Sequence, residues 1–300
     1  MTTMGEIPVQ QQAEPAPAPA PAAAGRPGRG LNFNLLAGGL LVGLVVCIAL
    51  LSFFWTPYDP VRIDPPAKLQ LPSAAHWLGT DNLGRDLFSR ILVGARITLL
   101  VGVVSVGIAV LIGTPLGIWA GMKRGAVEEI TMRGADILLA FPALLLAIMF
   151  AAIYGASTVS AMAAIGLASV PGFARVARAG TLQVMNAEFV LAARAASQRP
   201  LRIARRHVLP NIAGMLIIQC SVTFALAVLA EAALSFLGLG TPPPIPSWGR
   251  MLQESQQYWG TFPAMAVWPG VAIAVAVMGF NLLGDGLRDR FDPKLGRGKA

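Results

Sequence analysis

Long stretches without a charged residue constrain this chain more than any other feature of its sequence. The first covers residues 35–55, and as a helix its 21 residues are about 30 Å long, the thickness of the hydrocarbon core of a bilayer. Further uncharged stretches cover residues 97–122, 137–174, 208–230 and 264–283. The stretch 137–174 is long enough for two short helices, with a break near Gly155, Ala156 and Ser157. The pattern predicts an all-α polytopic membrane protein with six transmembrane helices.

The composition agrees with this class and excludes others. Hydrophobic residues make up 55% of the chain and charged residues 13%, a combination foreign to soluble domains and disordered proteins. The formal net charge of +8 could indicate nucleic-acid binding, but in a membrane protein a basic excess usually fixes the orientation of loops, so we expect no nucleic-acid partner. Cys47 and Cys220 both lie in apolar stretches and predict neither a disulfide nor a metal site.

The distribution of basic residues predicts the orientation. With the amino terminus inside, 17 of the 23 Lys and Arg residues fall in cytoplasmic segments, as the positive-inside rule requires. Both termini are then cytoplasmic. The chain divides into a Pro- and Ala-rich disordered tail (1–33), a first transmembrane helix (34–56), an external loop (57–96), a transmembrane core of five helices (97–284) with a cytoplasmic loop (176–210), and a cytoplasmic tail (285–300).

No motif of catalytic chemistry occurs in the sequence. His76 and His207 fall on opposite sides of the membrane in this orientation, so they cannot share a metal ion or a proton relay. The patterns H-E-x-x-H, G-x-S-x-G and G-x-x-x-x-G-K-[ST] are absent. We therefore expect no catalytic residue, no metal site and no ATP site on this chain. A membrane enzyme, which would turn over substrate in isolation, has only the helix count in its favour.

Glu231 comes closest to an ionisable residue inside a membrane span. A secondary transporter driven by protons or sodium would need such a residue in mid-membrane. Glu231 lies near the predicted outer end of the fifth helix, and we expect a structural position that reaches water rather than a proton relay. Asp136 is a weaker candidate, because it lies at the predicted start of the third helix, where the helix dipole favours an acidic residue.

Residues 186–211 are the most unusual of the predicted cytoplasmic segments. Residues 188–196 are rich in helix formers, Pro200 suits the first turn of a second short helix, and Pro210 lies at the entry to the fifth span. Small and apolar residues in this loop indicate a docking surface. Its arginines indicate, with equal weight, a basic helix on anionic lipid; they are Arg194, Arg199, Arg202, Arg205 and Arg206.

This segment resembles the cytoplasmic loop of bacterial ABC-importer permeases, which has an E-A-A sequence, a glycine four residues later and an L-P pair. The matching residues are Ala192, Ala193, Leu209, Pro210 and, in the variant of peptide transporters, His207. Leu191 replaces the usual glutamate and Ser197 the usual glycine. The resemblance implies contact with an ATP-binding subunit through Glu188, Ala192, Ala193, Arg194, Ser197, Leu201, Arg202, His207, Leu209 and Pro210.

Two further blocks resemble the C-type permease subunit of dipeptide, oligopeptide and nickel importers. The first, residues 76–99, reads HWLGTDNLGRDLFSRILVGARITL; its glycines supply turns, and Asp81 and Asp86 can pair with its arginines, which could otherwise bind external phosphates. The resemblance implies contact with the partner permease or a docked binding protein, while a structural turn that pins the second helix explains the same residues equally well. They are Gly79, Thr80, Asp81, Gly84, Arg85, Asp86, Ser89 and Arg90.

The second block, residues 230–255, reads AEAALSFLGLGTPPPIPSWGRMLQES and is followed at 280–295 by FNLLGDGLRDRFDPKL. The prolines predict an external turn, Trp248 predicts an interface anchor, and the residues after it predict a short re-entrant or interfacial helix. Alternating charges predict a paired cap on the sixth helix or, equally, a solvated tail; they are Asp285, Arg288, Asp289, Arg290, Asp292 and Lys294.

The resemblance runs from about residue 35 to residue 295 and implies a function. It implies the type I ABC-importer permease fold and a permease subunit of an ATP-driven, binding-protein-dependent importer of di- or oligopeptides in the bacterial cytoplasmic (inner) membrane. The expected partners are a second permease in a heterodimer, two ATP-binding subunits that hold ATP and Mg, an extracytoplasmic substrate-binding protein and membrane lipid. No cofactor is expected on this chain. Glutathione-like thiols and nickel complexes stay open as cargo.

Overall fold

The computed structural model describes residues 33–291, which are helical apart from the connections between the helices; the longest connection, residues 55–86, contains a 3-10 turn at Pro65–Ala67 and an isolated β-bridge between Thr80 and Asp86. Most of the predicted tail 1–33 lies outside this range, as do Asp292 and Lys294 of the predicted cap. The helices are α1 Phe33–Phe54, α2 Leu87–Lys123, α3 Ala126–Ala140, α4 Ala143–Tyr154, α5 Thr158–Val184, α6 Glu188–Ala195, α7 Pro200–Ile203, α8 Leu209–Phe236, α9 Trp248–Ser255 and α10 Ala264–Phe291.

Five of these helices are long and apolar enough to cross a membrane, where α7 and α8 count as one run, Pro200–Phe236. A sixth span requires α3 and α4 to be taken together, although their axes differ by 82°. Phe141 between them is extended (φ −84°, ψ 124°), because the ring of Pro142 disfavours helical backbone in the preceding residue. The predicted helical membrane fold is confirmed with five spans, or with six if the bent pair of α3 and α4 forms one span.

The predicted break between the third and fourth spans is confirmed in the part of the chain described. Gly155 ends α4 with φ +84°, a left-handed conformation that glycine adopts without strain. Ser157 then caps α5: its hydroxyl accepts the Ser160 backbone N–H, and the Ser160 hydroxyl accepts the Ser157 N–H, both at 3.1 Å. The break thus follows from local backbone chemistry.

Two helix starts differ from the boundaries of the uncharged stretches. Helix α2 begins at Leu87, ten residues before position 97, because the Asp86 carboxylate caps it and accepts the Ser89 N–H at 2.8 Å. Helix α3 begins at Ala126, so the prediction that Asp136 starts the third helix was wrong. Asp136 lies in the last turns of α3 and pairs with Arg175 at 2.5 Å. Helices continue through charged residues that have partners, so charge alone does not mark their ends.

Small residues let the long helices approach closely. Gly117 of α2 lies against the backbone of Ala174 in α5, where a Cβ atom would clash. Gly38 of α1 lies in the same way against the backbone of Leu283 in α10. Such contacts are typical of helix pairs in lipid, where close packing replaces hydrophobic exclusion as the driving force. They place the start of α2 beside α9 and the end of α2 beside α6 and α7.

Candidate functional site

The loop before α2 contributes to a largely buried group of charges that we call the arginine cluster, formed by Asp81, Arg85, Arg90 and Glu254. Asp81 Oδ2 accepts from Arg85 Nε at 2.6 Å and from Arg90 Nη1 at 2.8 Å. Glu254 Oε2 in α9 accepts from both arginines at 2.8 Å. Arg90 is 1% exposed and Asp81 is 1% exposed. The two carboxylates therefore bridge the two buried guanidinium groups, and α9 is held against the start of α2.

The remaining residues of the loop motif fasten the loop to the first turn of α2. Asp86 uses both oxygens, with Oδ2 accepting from the Ser89 hydroxyl at 2.7 Å and Oδ1 lying 3.0 Å from His76 Nδ1. The Thr80 hydroxyl accepts the Gln70 N–H at 2.8 Å. Gly79 and Gly84 have φ values of +81° and +77°. All eight motif residues are buried within the chain.

Two expected partners differ in the structure. Arg85 and Arg90 pair with Asp81 as expected, but Asp86 binds His76 and Ser89 and no arginine. Arg96 was expected to pair with a carboxylate or an external phosphate. Its Nε instead donates to the Ser52 hydroxyl at 2.5 Å, and its guanidinium lies 4.1 Å from the centre of the Phe53 ring.

The sequence analysis missed Glu254, and it misplaced Trp248. Glu254 stands in the quoted block WGRMLQES, four residues after Arg250, whose Nε lies 3.3 Å from Glu254 Oε1; this i,i+4 spacing was the available signal. Trp248 was predicted to anchor at the interface, which is wrong because it is 2% exposed. Its Nε1 donates to the Ile91 carbonyl at 3.0 Å, in a space that Gly94 leaves open. The short helix predicted after Trp248 is confirmed as α9.

Glu231 does not reach water. The side chain in α8 is 1% exposed, and its Oε1 accepts from the Ser235 hydroxyl at 2.7 Å. The Ser235 hydroxyl in turn accepts the Thr241 N–H at 3.0 Å, which ties the loop after α8 to the helix. The expectation of a water-reaching position was wrong because this loop folds back over the helix end. These hydrogen bonds indicate a structural role for Glu231, in which it helps to tie this loop to the end of α8.

Residues 188–210 adopt the predicted arrangement and are called here the helix-break-helix segment. Helix α6 ends at Ala195, and α7 begins at Pro200, whose missing N–H is harmless in a first turn. Ser197 in the break has φ +54°, the left-handed conformation that glycine would adopt without strain. A π turn, Ala204–Val208, joins α7 to α8 in one continuous run.

Burial divides the segment into an inner and an outer face. Val190, Ile203 and Val208 are buried against α2, α5 and α8, and so is Ala193, which is 6% exposed. Leu201 is 65% exposed. Of the ten residues predicted to contact an ATP-binding subunit, Ala193 is buried and His207 half-buried. The exposed ones are Glu188, Ala192, Arg194, Ser197, Leu201, Arg202, Leu209 and Pro210.

Comparisons with known proteins agree with this architecture. A family model described as binding-protein-dependent transport system inner membrane component matches residues 113–297. The glutathione transport system permease protein GsiD of Pectobacterium atrosepticum is 42% identical over 261 residues, which are 87% of each chain. The dipeptide transport system permease protein DppC of Alkalihalophilus pseudofirmus is 41% identical over 260 residues, covering 87% of this chain and 86% of the relative.

A solved structure has the same fold. A chain of the MetNI methionine ABC transporter, from its inward-facing CY5 native crystal form, superposes with a TM-score of 0.55 at 20% identity. The match covers 67% of this chain and 96% of that chain. At this identity the likeness concerns the fold, and it extends the agreement from the sequence to the helix arrangement.

Proposed function

The chain belongs to the family of binding-protein-dependent transport system inner membrane components, and from this premise we propose the assembly in which it works. The chain is a multi-pass membrane protein, a permease subunit of an ABC importer and not an enzyme. We place it in the cytoplasmic (inner) membrane of a bacterium with both termini inside. The family description and the excess of basic residues in the predicted cytoplasmic segments support this placement.

The proposed cargo is a short peptide. Two relatives about 41% identical are named for the transport of dipeptides or of di- and tripeptides, and one that is 42% identical is named for glutathione. All of these substrates have a peptide bond and a terminal carboxylate. Uptake of a labelled dipeptide, a labelled hexapeptide, glutathione and a nickel complex by cells with and without this chain tests the cargo. Uptake of the nickel complex alone would contradict it.

A second permease is proposed to cover the bent third span. Helix α4 exposes large apolar side chains, among them Leu145, Met149 and Tyr154. Helix α3 in contrast forms the pair Asp136–Arg175, with side chains 60% and 51% exposed. A charged pair exposed to hydrocarbon would be costly, so this side of the molecule suits protein and a polar pathway better than lipid. Both features support a heterodimer with the pathway near α3.

Two ATP-binding subunits, which would hold ATP and Mg, are proposed to dock on the outer face of the helix-break-helix segment. The observation that carries this proposal is the exposed Leu201 on a helical run that continues without interruption to Phe236. A push on this face would travel along the run as rigid-body motion to the loop tied by Glu231. The expected result of ATP-driven closure is an outward turn of the pathway.

Replacing Leu201 by Glu tests the docking face. A buried carboxylate would weaken an apolar contact, so we expect the ATP-binding subunits to be lost when the tagged chain is purified in mild detergent with its genomic neighbours. Leu71→Glu is the matched control, because Leu71 is 71% exposed in the loop before α2 and outside the segment. Mass spectrometry of the co-purified subunits gives the result. Full retention in the Leu201 variant would contradict the docking face, and a chain that transports alone would contradict the assembly.

A further inference from the structure

A cleft of about 250 Å³ lies where α2 ends against α6 and α7. One wall comes from the last turns of α2, with Trp119, Met122 and Lys123, and the other comes from the helix-break-helix segment, with Arg194, Gln198 and Ile203. The first wall belongs to a helix that crosses the membrane, and the second to the segment that meets the ATP-binding subunits in the proposed assembly. The cleft therefore joins the membrane surface to the break in the segment.

The cleft is basic, and its charges are not balanced. Between residues 33 and 291, no carboxylate lies within 4 Å of the nitrogens of Lys123 or Arg194. Arg178 on the neighbouring α5, by comparison, pairs with Glu128. The Lys123 ammonium lies 5.4 Å from the centre of the Trp119 ring, which holds it at the rim of the cleft. Two free cations separated by the width of one cleft favour an anionic ligand.

The cleft also contains a polar atom without a partner. The side-chain oxygen Oε1 of Gln198 is buried and accepts no hydrogen bond within the described chain. A buried acceptor of this kind is costly unless a donor meets it. An ionised phosphodiester has no donor to offer, whereas a hydroxyl attached to the same ligand has one. The site thus favours a ligand that carries both an anionic group and a hydroxyl group.

An exposed apolar track leads from the membrane interior to this cleft. Ile112, Leu116 and Trp119 are 41%, 43% and 48% exposed, and with Lys123 they follow the spacing i, i+4, i+7, i+11 on one face of α2. The track is about 16 Å long, close to half the thickness of the hydrocarbon core. An acyl chain can lie along it while the headgroup lies at Lys123. Trp119 stands at the junction, where tryptophan is favoured in membrane proteins.

We propose that the cleft binds the headgroup of an anionic phospholipid that carries free hydroxyl groups, of the phosphatidylglycerol type. The phosphate lies between Lys123 and Arg194, and a glycerol hydroxyl donates to Gln198 Oε1. One acyl chain follows the track on α2. Because Gln198 is next to the left-handed Ser197, the lipid braces the break between α6 and α7 against the end of α2.

The brace has a consequence for transport that rests on the proposed function, whereas the binding itself does not. When the ATP-binding subunits close, a flexible break between α6 and α7 would absorb part of their motion. A lipid that stiffens the break lets more of this motion reach the membrane helices. More transport per ATP hydrolysed is then expected in membranes that contain the anionic lipid. Lipid binding without any effect on uptake would contradict the brace and leave the site in place.

Binding is tested on the purified complex in nanodiscs of phosphatidylcholine with a photoreactive phosphatidylglycerol. We expect crosslinks at 112–123 and 194–203, and about tenfold less crosslinking in the double variant Lys123→Gln, Arg194→Gln, because each basic residue near a membrane surface adds substantially to the binding of anionic lipid. The control Arg205→Gln, Arg206→Gln removes the same charge from exposed positions of the same segment. It should stay within about twofold of the unmodified complex.

Four further results decide the chemistry. Gln198→Met keeps the size but removes the acceptor, so it should abolish the preference for phosphatidylglycerol over phosphatidylmethanol, an anionic phosphodiester lipid whose headgroup has no hydroxyl. Equal losses in the two double variants would overturn the proposal in favour of diffuse attraction to the membrane. Displacement by millimolar glycerol phosphate would overturn it in favour of a soluble anion. Crosslinking that appears only when the ATP-binding subunits are removed would show that the cleft is their contact, and would also overturn it.

Discussion

The two ends of α2 carry opposite kinds of basic site. At its start, the arginine cluster is closed: Arg90 is 1% exposed, and each guanidinium has carboxylate partners at 2.6–2.8 Å. At its end, Lys123 and Arg194 are exposed and lack a carboxylate partner between residues 33 and 291. Charges that are satisfied inside the chain hold the fold, and charges left open are available to a ligand or partner. Clear motifs in the sequence therefore do not by themselves mark contact surfaces.

Replacing Arg90 by Met would break the closed site. Asp81 and Glu254 would then share only one buried guanidinium, that of Arg85, with the half-buried Arg250 as a further contact of Glu254, and we expect a loss of about 3–5 kcal/mol in the free energy of unfolding. Thermal unfolding of the purified complex in detergent measures it. Arg133→Met is the control, because Arg133 and its partner Glu129 are 75% and 59% exposed, and it should cost less than about 1 kcal/mol. Equal losses would show that burial does not distinguish the two pairs.

Two adjacent alanines test whether the helix-break-helix segment has a buried inner face and an exposed outer face. Ala193→Glu buries a charge against Val190 and Ile203, so a loss of about 3 kcal/mol and little assembled complex are expected. Ala192→Glu adds the same charge on the exposed face. It should leave the complex intact but reduce uptake per ATP hydrolysed. Uptake and ATPase activity in proteoliposomes separate the outcomes, and identical behaviour of the two variants would refute the division into faces.

Glu231 provides the next test, because it is buried like the arginine cluster but has no cationic partner in the described chain: Oε1 accepts from the Ser235 hydroxyl, and Oε2 accepts no hydrogen bond there. Glu231→Leu removes the acceptor of the Ser235 hydroxyl and should cost about 1–2 kcal/mol in thermal unfolding. Glu231→Gln keeps an acceptor at the same place, so ATP-driven uptake should stay within about twofold. Loss of uptake in the Gln variant, with normal stability, would instead favour a proton-coupled transporter.

Ser197→Gly should give the smallest effect, and in the opposite direction. Ser197 holds φ +54°, which costs a residue with a side chain about 1 kcal/mol and glycine almost nothing. We expect a gain of about 0.5–1 kcal/mol, seen as slower hydrogen exchange of residues 188–203. Ser197→Ala keeps the strain and should show no gain. Faster exchange in the glycine variant would mean that the serine stabilises the break in another way.

Local features of this chain were predictable to the extent that neighbours in sequence decide them. The break at residues 155–157, the short helix after Trp248 and the helix-break-helix segment all follow from glycine, proline and capping residues close by. Helix ends were less predictable. Asp136 and Arg90 lie outside the uncharged stretches but inside helices, because partners distant in sequence neutralise them.

The burial of individual side chains could not be predicted from the sequence, for a different reason. Glu231, Trp248 and Ala193 each stand in a segment whose local pattern fits an exposed position. Residues distant in sequence cover them: Thr241, ten residues after Glu231, belongs to the loop over that side chain, and the Ile91 carbonyl, 157 residues from Trp248, accepts from its indole. Hydrophobic periodicity cannot detect such covers in helices that are apolar on every side.

The sequence by itself determined the class of this protein, because a backbone in lipid must satisfy its hydrogen bonds internally and long uncharged stretches leave the helix as the solution. It also determined the family, because the motifs that resemble those of the family can be recognised in the sequence without knowledge of what their side chains contact. Only the tertiary structure decided which charged side chains are paired within the chain and which are left without a partner of opposite charge. That division depends on the pairing of Glu254 with Arg90, 164 residues apart, and on the absence of any such carboxylate beside Lys123 in the part of the chain described.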